Sequence, residues 1–232
     1  LSGGSGNDYM AGGAGNDLYQ VDAAGDVVYE AAGEGIDRID ASVSLTLPAN
    51  VENLDLYWAT GDVTGTGNGA DNTLQGNGGG NALYGLDGND VLYGYGGTDH
   101  LHGGAGNDTL CGSDTGGDTT LDYFYFETAL ASGTNVDQVY GNASDEFQLD
   151  NDVFTVLRNA TNGTLGEIGA AYWHAGAGYT GSGGLDDVGL WYDTSTGNLY
   201  YNPTDNIRGD STLFAVFSGA PTLGQADFNL IE

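Results

Sequence analysis

Between Gly67 and Cys111 the chain repeats itself every nine residues, in the units GNGADNTLQ, GNGGGNALY, GLDGNDVLY, GYGGTDHLH and GGAGNDTLC. Position one is always Gly. Position six is Asn72, Asn81, Asp90, Asp99 and Asp108, and position eight is Leu74, Leu83, Leu92, Leu101 and Leu110. Six residues of each unit read as a turn, because Gly, constant at position one and recurring at positions two and four, permits tight backbone curvature with positive φ. The last three read as a short strand whose middle residue points opposite to its neighbours. The five leucines therefore face inward. One unit makes half a turn of a flattened coil, so like turns stack every second unit. The period predicts an all-β chain, a parallel β-roll or solenoid, extended by a C-terminal β-rich capping region.

Stacking brings Asp90 near Asp108 and Asp99 near the turn that ends at Asp122. Stacked carboxylates repel unless a cation lies between them. Oxygen-only ligands, six or more with turn carbonyls counted, suit calcium better than zinc or a transition metal. The fifth unit matches G-G-x-G-x-D-x-U-x in full, with U a large apolar residue. Two more units, GGSGNDYMA and GGAGNDLYQ, stand near the N-terminus. In these residues the chain resembles the RTX family of secreted bacterial proteins, whose nonapeptides bind calcium in a parallel β-roll.

The resemblance implies a ligand set: carbonyls of positions one and three and the position-six side chain of one turn, with carbonyls of positions two and four and the position-six side chain of the next. One site then joins Gly85, Asp87 and Asp90 to Gly104, Gly106 and Asp108. Another joins Gly67, Gly69 and Asn72 to Leu86, Gly88 and Asp90. On the other edge Gly76, Gly78 and Asn81 meet Tyr95, Gly97 and Asp99, and Gly94, Gly96 and Asp99 meet the turn ending at Asp122. Near the N-terminus Gly3, Ser5 and Asp8 stack on Asp26, and Gly12, Ala14 and Asp17 on Asp37. Asn72 and Asn81 carry no charge, which weakens or empties the first sites. After Cys111 the register breaks at Gly112-Ser113-Asp114-Thr115-Gly116.

Three segments follow from the pattern. Residues 1–66 hold N-terminal repeats and degenerate coils. Val43, Leu45 and Leu47 alternate there, as do Leu54 and Leu56, with Pro48 and Asn50 marking a turn. Residues 67–126 are the regular roll, and 1–126 is expected to be one stacked body. Residues 127–232 lose the nonapeptide. Strands are expected at Val136–Val139, Phe147–Leu149, Val188–Asp193, Leu199–Asn202 and Phe214–Phe217, with a hairpin at Thr194–Asn198. A solenoid end needs a cap, for which Phe124, Phe126, Phe147, Leu149, Phe154, Trp173, Trp191, Phe214 and Phe217 are candidates. This region resembles, more loosely, the C-terminal part of serralysin-type proteases and other type I secretion substrates. The ending Ala226–Glu232 fits their uncleaved export signal.

Charge narrows the partners. There are 33 acidic residues against three arginines and no lysine, for a net charge of −30. Such a chain opposes its own compaction unless cations bind, and it offers no basic patch to nucleic acid. No segment is apolar enough to span a membrane. No signal peptide is read, and Leu1 falls mid-repeat, so the chain is expected to be the C-terminal piece of a larger protein. The single cysteine, Cys111, reads as a tolerated surface thiol. His100 and His102 read as two exposed side chains on one strand, and the third histidine is His174. No H-E-x-x-H or G-x-S-x-G motif occurs. The expected function is therefore non-catalytic: a calcium-dependent folding, export and stability module, secreted or surface-bound on a Gram-negative bacterium, although a catalytic domain can precede residue 1. Its partners are calcium, the type I secretion machinery, and as further candidates a surface polysaccharide or other copies of itself. The alternatives are a surface-layer or adhesin module assembling through calcium and a carbohydrate-binding accessory module of a polysaccharide-acting enzyme.

Overall fold

The structure is a computed structural model. It describes residues 1–113, 120–130, 134–142, 144–150, 152–154, 157, 166–167, 172–178, 189–203, 211–219 and 221–231. The chain is all-β with almost no helix and forms a parallel β-solenoid of about 7 turns. The smallest sheet pairs β1 (Tyr9–Ala11) with β3 (Val27–Tyr29) in parallel. One large sheet runs β2 (Leu18–Val21), β4 (Arg38–Ala41), β6 (Asn53–Asp55), β8 (Thr73–Gln75), β10 (Val91–Tyr93), β12 (Thr109–Cys111) and β14 (Asp137–Tyr140). The other runs β5 (Leu45–Thr46), β7 (Thr64–Thr66), β9 (Ala82–Asp87), β11 (His100–Ala105), β13 (Tyr123–Phe126) and β15 (Glu146–Asp150). Successive strands alternate between the two sheets, so each nonapeptide is one half-coil.

Register follows the inward residue. Leu74 pairs with Leu92, Leu92 with Leu110 and Leu110 with Val139 on one side. Leu83 pairs with Leu101, Leu101 with Phe124 and Phe124 with Phe147 on the other. All of these are fully buried. Each leucine removed from water stabilises the coil by about 1.5–3 kcal/mol. A one-residue slip would turn the whole set outward. Gly65 fills the inward slot of β7, where an added Cβ would press on Leu54, Leu56 and Leu83 at 3.0–3.2 Å. Asn50 turns the chain between β5 and β6 with φ 65°. Its Nδ2 donates to the Glu30 carbonyl at 3.0 Å.

Beyond residue 126 both sheets continue. β14 pairs in parallel with β20 (Thr212–Phe217), which leads to β19 (Asn198–Asn202), β18 (Gly189–Asp193) and β17 (Trp173–Gly176). β15 pairs with β21 (Phe228–Ile231), whose other side takes β16 (Gly166–Glu167). The Thr194–Asn198 turn joins antiparallel β18 and β19, with Gly197 at φ 80°. Val188 lies outside the described residues. Among the expected capping residues, Phe124, Phe126, Phe147, Leu149, Phe154, Phe214 and Phe217 join the core, Trp191 is buried and Trp173 packs at the rim.

Two surface expectations need correction. Cys111 has the outward register of Tyr93 and Tyr140, its neighbours in the sheet, yet it is buried. It lies between Tyr93 and Tyr140 in the sheet register, and burial pushes the thiol up to about 11. His100 and His102 are half-buried, because each packs into a ladder of rings. Tyr84, His102 and Tyr125 stack with centroids 4.4 and 3.8 Å apart. His100 Nδ1 lies 2.7 Å from the Tyr125 hydroxyl, and His102 Nδ1 lies 2.9 Å from Glu127 Oε2.

Candidate metal centre

The position-six side chains form a column along each edge of the roll. The Asn72 N–H donates to Asp90 Oδ1 at 2.7 Å, Asp90 N–H to Asp108 Oδ1 at 2.8 Å, and Asp108 N–H to Asp137 Oδ1 at 3.1 Å. Along the other edge Asn81 N–H donates to Asp99 Oδ1 at 2.7 Å, Asp99 N–H to Asp122 Oδ1 at 2.9 Å, and Asp122 N–H to Asp145 Oδ1 at 3.1 Å. Near the N-terminus Asp8 N–H donates to Asp26 Oδ1 at 3.0 Å and Asp17 N–H to Asp37 Oδ1 at 2.7 Å. Each carboxylate thus binds the backbone of the turn beneath it with one oxygen.

The second oxygen faces the turn. Asp90 and Asp108 are each 1% exposed, and the Oδ2 of each has no hydrogen-bond partner among the described residues. A Cβ placed on Gly85 would overlap both Asp90 Oδ2 and the Gly103 carbonyl oxygen. Positions two and four take positive φ: 83° at Leu86, 121° at Gly88, 72° at Tyr95, 100° at Gly97, 103° at Gly104 and 147° at Gly106. A side chain at Gly104 would strike the Leu86 carbonyl, and one at Gly106 the Gly88 carbonyl. Leu86 and Tyr95 hold this left-handed conformation despite their bulk, a strain that persists only where the surroundings impose it.

Carboxylate and carbonyl oxygens therefore crowd each layer. Burial, helped by Asp108, Asp71 and Asp87, pushes the Asp90 carboxyl up to about 7. Burial likewise raises Asp108 to about 6, and Asp137 well above the usual carboxylate range. Nothing in this donor set suits a soft metal. A hard divalent cation taking six to eight oxygens fits it.

The remaining expected residues fall on the same frame. Gly94 abuts the Asp99 carboxylate and the Gly112 carbonyl, and Gly96 N–H donates to the Asn77 carbonyl at 3.2 Å. Gly3 abuts Asp8, and Gly12 abuts Asp17 and the Tyr19 hydroxyl. Ser5, Ala14 and Asp87 are exposed at position three, where the expected ligand is a carbonyl. Asp26 differs from Asp90. Its Oδ2 accepts N–H groups from Asp22 and Ala23, both at 3.2 Å. The Asp8 N–H on Oδ1 is the leading cause that holds its pKa below the usual range.

The two Asn units are built differently on their lower side. Asn68 and Asn77 at position two do not have positive φ. Asn68 Nδ2 donates to the Pro48 and Val51 carbonyls at 2.9 and 2.7 Å, and Asn77 Nδ2 to the Ala59 and Gly61 carbonyls, both at 3.1 Å. Asn72 Nδ2 and Asn81 Nδ2 donate to the side-chain oxygens of Asn68 and Asn77 at 3.2 and 3.1 Å. Asn142 repeats the device, with Nδ2 on the Thr120 carbonyl at 3.1 Å. Side-chain amide N–H groups point at turn carbonyls there, a kind of donor that the Asp90–Asp108 layer lacks among the described residues.

Sequence reasoning missed four acidic residues on these columns. Asp137 and Asp145 continue the stacks above Asp108 and Asp122, but at separations of 29 and 23 residues rather than 18. The signal that finds them is D-x-U before a strand, as in Asp137-Gln138-Val139 and Asp145-Glu146-Phe147. Glu52 takes the Asp37 N–H at 2.9 Å. Glu30 joins Asp17 and Asp37, the ligand oxygens of the three lying within 4.8 Å of one another.

The fold is a parallel β-roll whose turns are rich in oxygen donors. The family model of the RTX calcium-binding nonapeptide repeat matches residues 1–23, 66–100 and 75–110. The chain thus carries RTX calcium-binding repeats. It is also 45% identical over 71 residues to the endo-1,3-1,4-beta-glycanase ExsH of Rhizobium meliloti (strain 1021). That match spans 28% of this chain and 14% of the glycanase. RTX repeats are typical of secreted bacterial proteins. Among the described residues, no helix is long and apolar enough to cross a membrane.

Proposed function

We propose that this chain is a non-catalytic module of a larger secreted RTX protein, one that folds on calcium and supports export and stability. The observation that carries the reading is the pair of buried Oδ2 atoms of Asp90 and Asp108, unpartnered among the described residues, beside turn carbonyls. The bound cation neutralises the stacked charge and completes its shell from Gly85, Asp87, Gly104 and Gly106. The stacking of Asp99 on Asp122, and of Asp108 on Asp137, extends the role along both columns. Asn72 and Asn81 each give one neutral oxygen to the layer above them.

Folding then follows mass action. A ligand that binds the folded state at tenfold excess over its Kd contributes about 1.4 kcal/mol per site. Low calcium inside the cell leaves the acidic repeats unfolded and threadable, and external calcium folds them. Residues 1–66, 67–126 and 127–232 divide the work as degenerate coils, regular roll, and cap with export signal. Circular dichroism tests this: little β structure in EGTA, and cooperative folding with apparent Kd on the order of 0.1–1 mM. An equally folded spectrum in EGTA refutes it.

The glycanase match and the Tyr84–His102–Tyr125 ladder favour a carbohydrate-binding accessory role as the second reading. The stacked rings cover one another's faces, however, and sugars pack on open ring faces. Binding to a β-glucan at fixed calcium decides between the readings.

A further inference from the structure

The acidic group at the N-terminal end of the roll has a member that the nonapeptide pattern does not supply. Glu30 follows β3 on the inward side, in phase with Val28, and is 3% exposed. A carboxylate in the interior of a solenoid needs compensation, because a charge buried without a partner is strongly destabilising. Its Oε1 accepts the Tyr19 hydroxyl, which in turn accepts the Gly12 N–H at 2.6 Å. Its Oε2 has no hydrogen-bond partner among the described residues. Asp37, fully buried, has the same imbalance: Oδ1 takes the Asp17 N–H, and Oδ2 has no partner among the described residues. Both Arg38 hydrogen bonds go to Asp40 and Asp55 on the outer face, so that cation does not compensate this group.

We propose that Asp17, Glu30 and Asp37 together hold one calcium ion, with Glu30 as a ligand entering from inside the coil. This rests on the calcium reading above and goes beyond it, since it adds a third carboxylate. Oxygens within 4.8 Å of one another suit an ion with calcium–oxygen distances of about 2.3–2.6 Å. Tyr19 fixes the rotamer of Glu30 by holding Oε1, which leaves Oε2 free for the ion. It replaces the leucine of the regular units because only a long polar side chain spans from the inward slot to the Gly12 turn. Three carboxylates against one divalent ion give this layer more charge than any two-carboxylate layer, so it binds calcium first as the concentration rises.

The test uses the whole chain. Native mass spectrometry at limiting calcium counts ions in wild type, Glu30→Gln, Asp37→Asn and the double variant. Gln keeps the size of Glu30 and an oxygen for Tyr19. The expected result is loss of one ion, or at least tenfold weaker binding of the first ion, in either single variant, with no further loss in the double. An unchanged count and affinity in Glu30→Gln overturns the assignment. Crystals of wild type grown with calcium give a reading that needs no variant. An anomalous peak bonded to Glu30 Oε2 supports the site. Ions between Asp90 and Asp108 with none at Glu30 overturn this inference alone, and no ion at any turn overturns the calcium reading with it.

Discussion

Two kinds of layer stack in one roll. Beneath Asn72 and Asn81, turn carbonyls are satisfied by the side-chain amides of Asn68 and Asn77. Between Asp90 and Asp108 no donor of that kind is present among the described residues, and the oxygens crowd together. Both layers have the same strand register and the same leucine interior. The difference shows that the periodic backbone creates an excess of inward carbonyls, which either a protein N–H or a cation can balance. Asn72 sits on the boundary: its Nδ2 serves the amide layer below, while its backbone is capped by Asp90 above. On the calcium reading proposed above, the amide layers persist without calcium and the carboxylate layers do not.

Asp90→Ala should give the largest effect on that contrast. It removes a carboxylate shared by two layers and the cap on the Asn72 N–H. We expect the calcium midpoint of folding to rise by tenfold or more, about 1.4 kcal/mol at least, in a titration followed by circular dichroism. Asn72→Ala should move the midpoint less. Equal shifts would mean that the two layers do not differ in what compensates them.

The pH response in chelator comes next. Asp90 and Asp108 are raised to about 7 and 6, against ~3.9 for an unfolded aspartate. Between these limits the folded state binds more protons than the unfolded one. Its stability is therefore fullest below ~3.9 and is lost as pH rises through about 6 and 7. In EGTA, β structure should increase from pH 8 to pH 5. In saturating calcium the sign should reverse, because protons compete with the ion. The same direction in both conditions would break the link between these carboxylates and calcium.

Asn77→Ala isolates the amide layer. Asn77 is buried, and its loss leaves the Ala59 and Gly61 carbonyls without their donor. Thermal melts should show a cost of about 1–3 kcal/mol, present in calcium and in chelator alike, with the ion count unchanged. A cost that appears only in calcium would place an ion in that layer.

The strand pairing and the Asp90–Asp108 and Asp99–Asp122 stacks were legible because one period fixed both Leu110 and Asp108 relative to their partners. The N-terminal pairs Asp8–Asp26 and Asp17–Asp37 were legible from the same D-x-U element, even with two extra residues in the second. Asp137 and Asp145 escaped because longer connections break the spacing while leaving the stack intact. Glu30 escaped because no periodic rule places an acid in an inward slot; burial alone reveals it. Asn68 and Asn77 carry no signal in the repeat, since their role depends on which carbonyls lie beneath them. Strands past residue 126 were expected, but their stacking onto both sheets was hidden because β14, β15, β20 and β21 lack the nonapeptide spacing.

The smallest net effect should come from Asn81→Asp, which opposes the two layers within one residue. Above, it returns a second carboxylate to the layer shared with Asp99, where Tyr95 and Gly97 already have positive φ. That should strengthen the calcium site there several-fold. Below, it replaces the donor on Asn77 Oδ1 with an acceptor and sets a charge against an oxygen. Losing a buried hydrogen bond of this kind costs about 1–3 kcal/mol. In saturating calcium the two changes should nearly cancel, leaving the melting temperature within a few degrees of wild type, while in EGTA only the cost remains. Calorimetric titration should show one tighter ion. If Asn81→Asp instead stabilised the chain in EGTA, the amide beneath Asn81 would not be acting as a donor, and the division into amide and cation layers would fail.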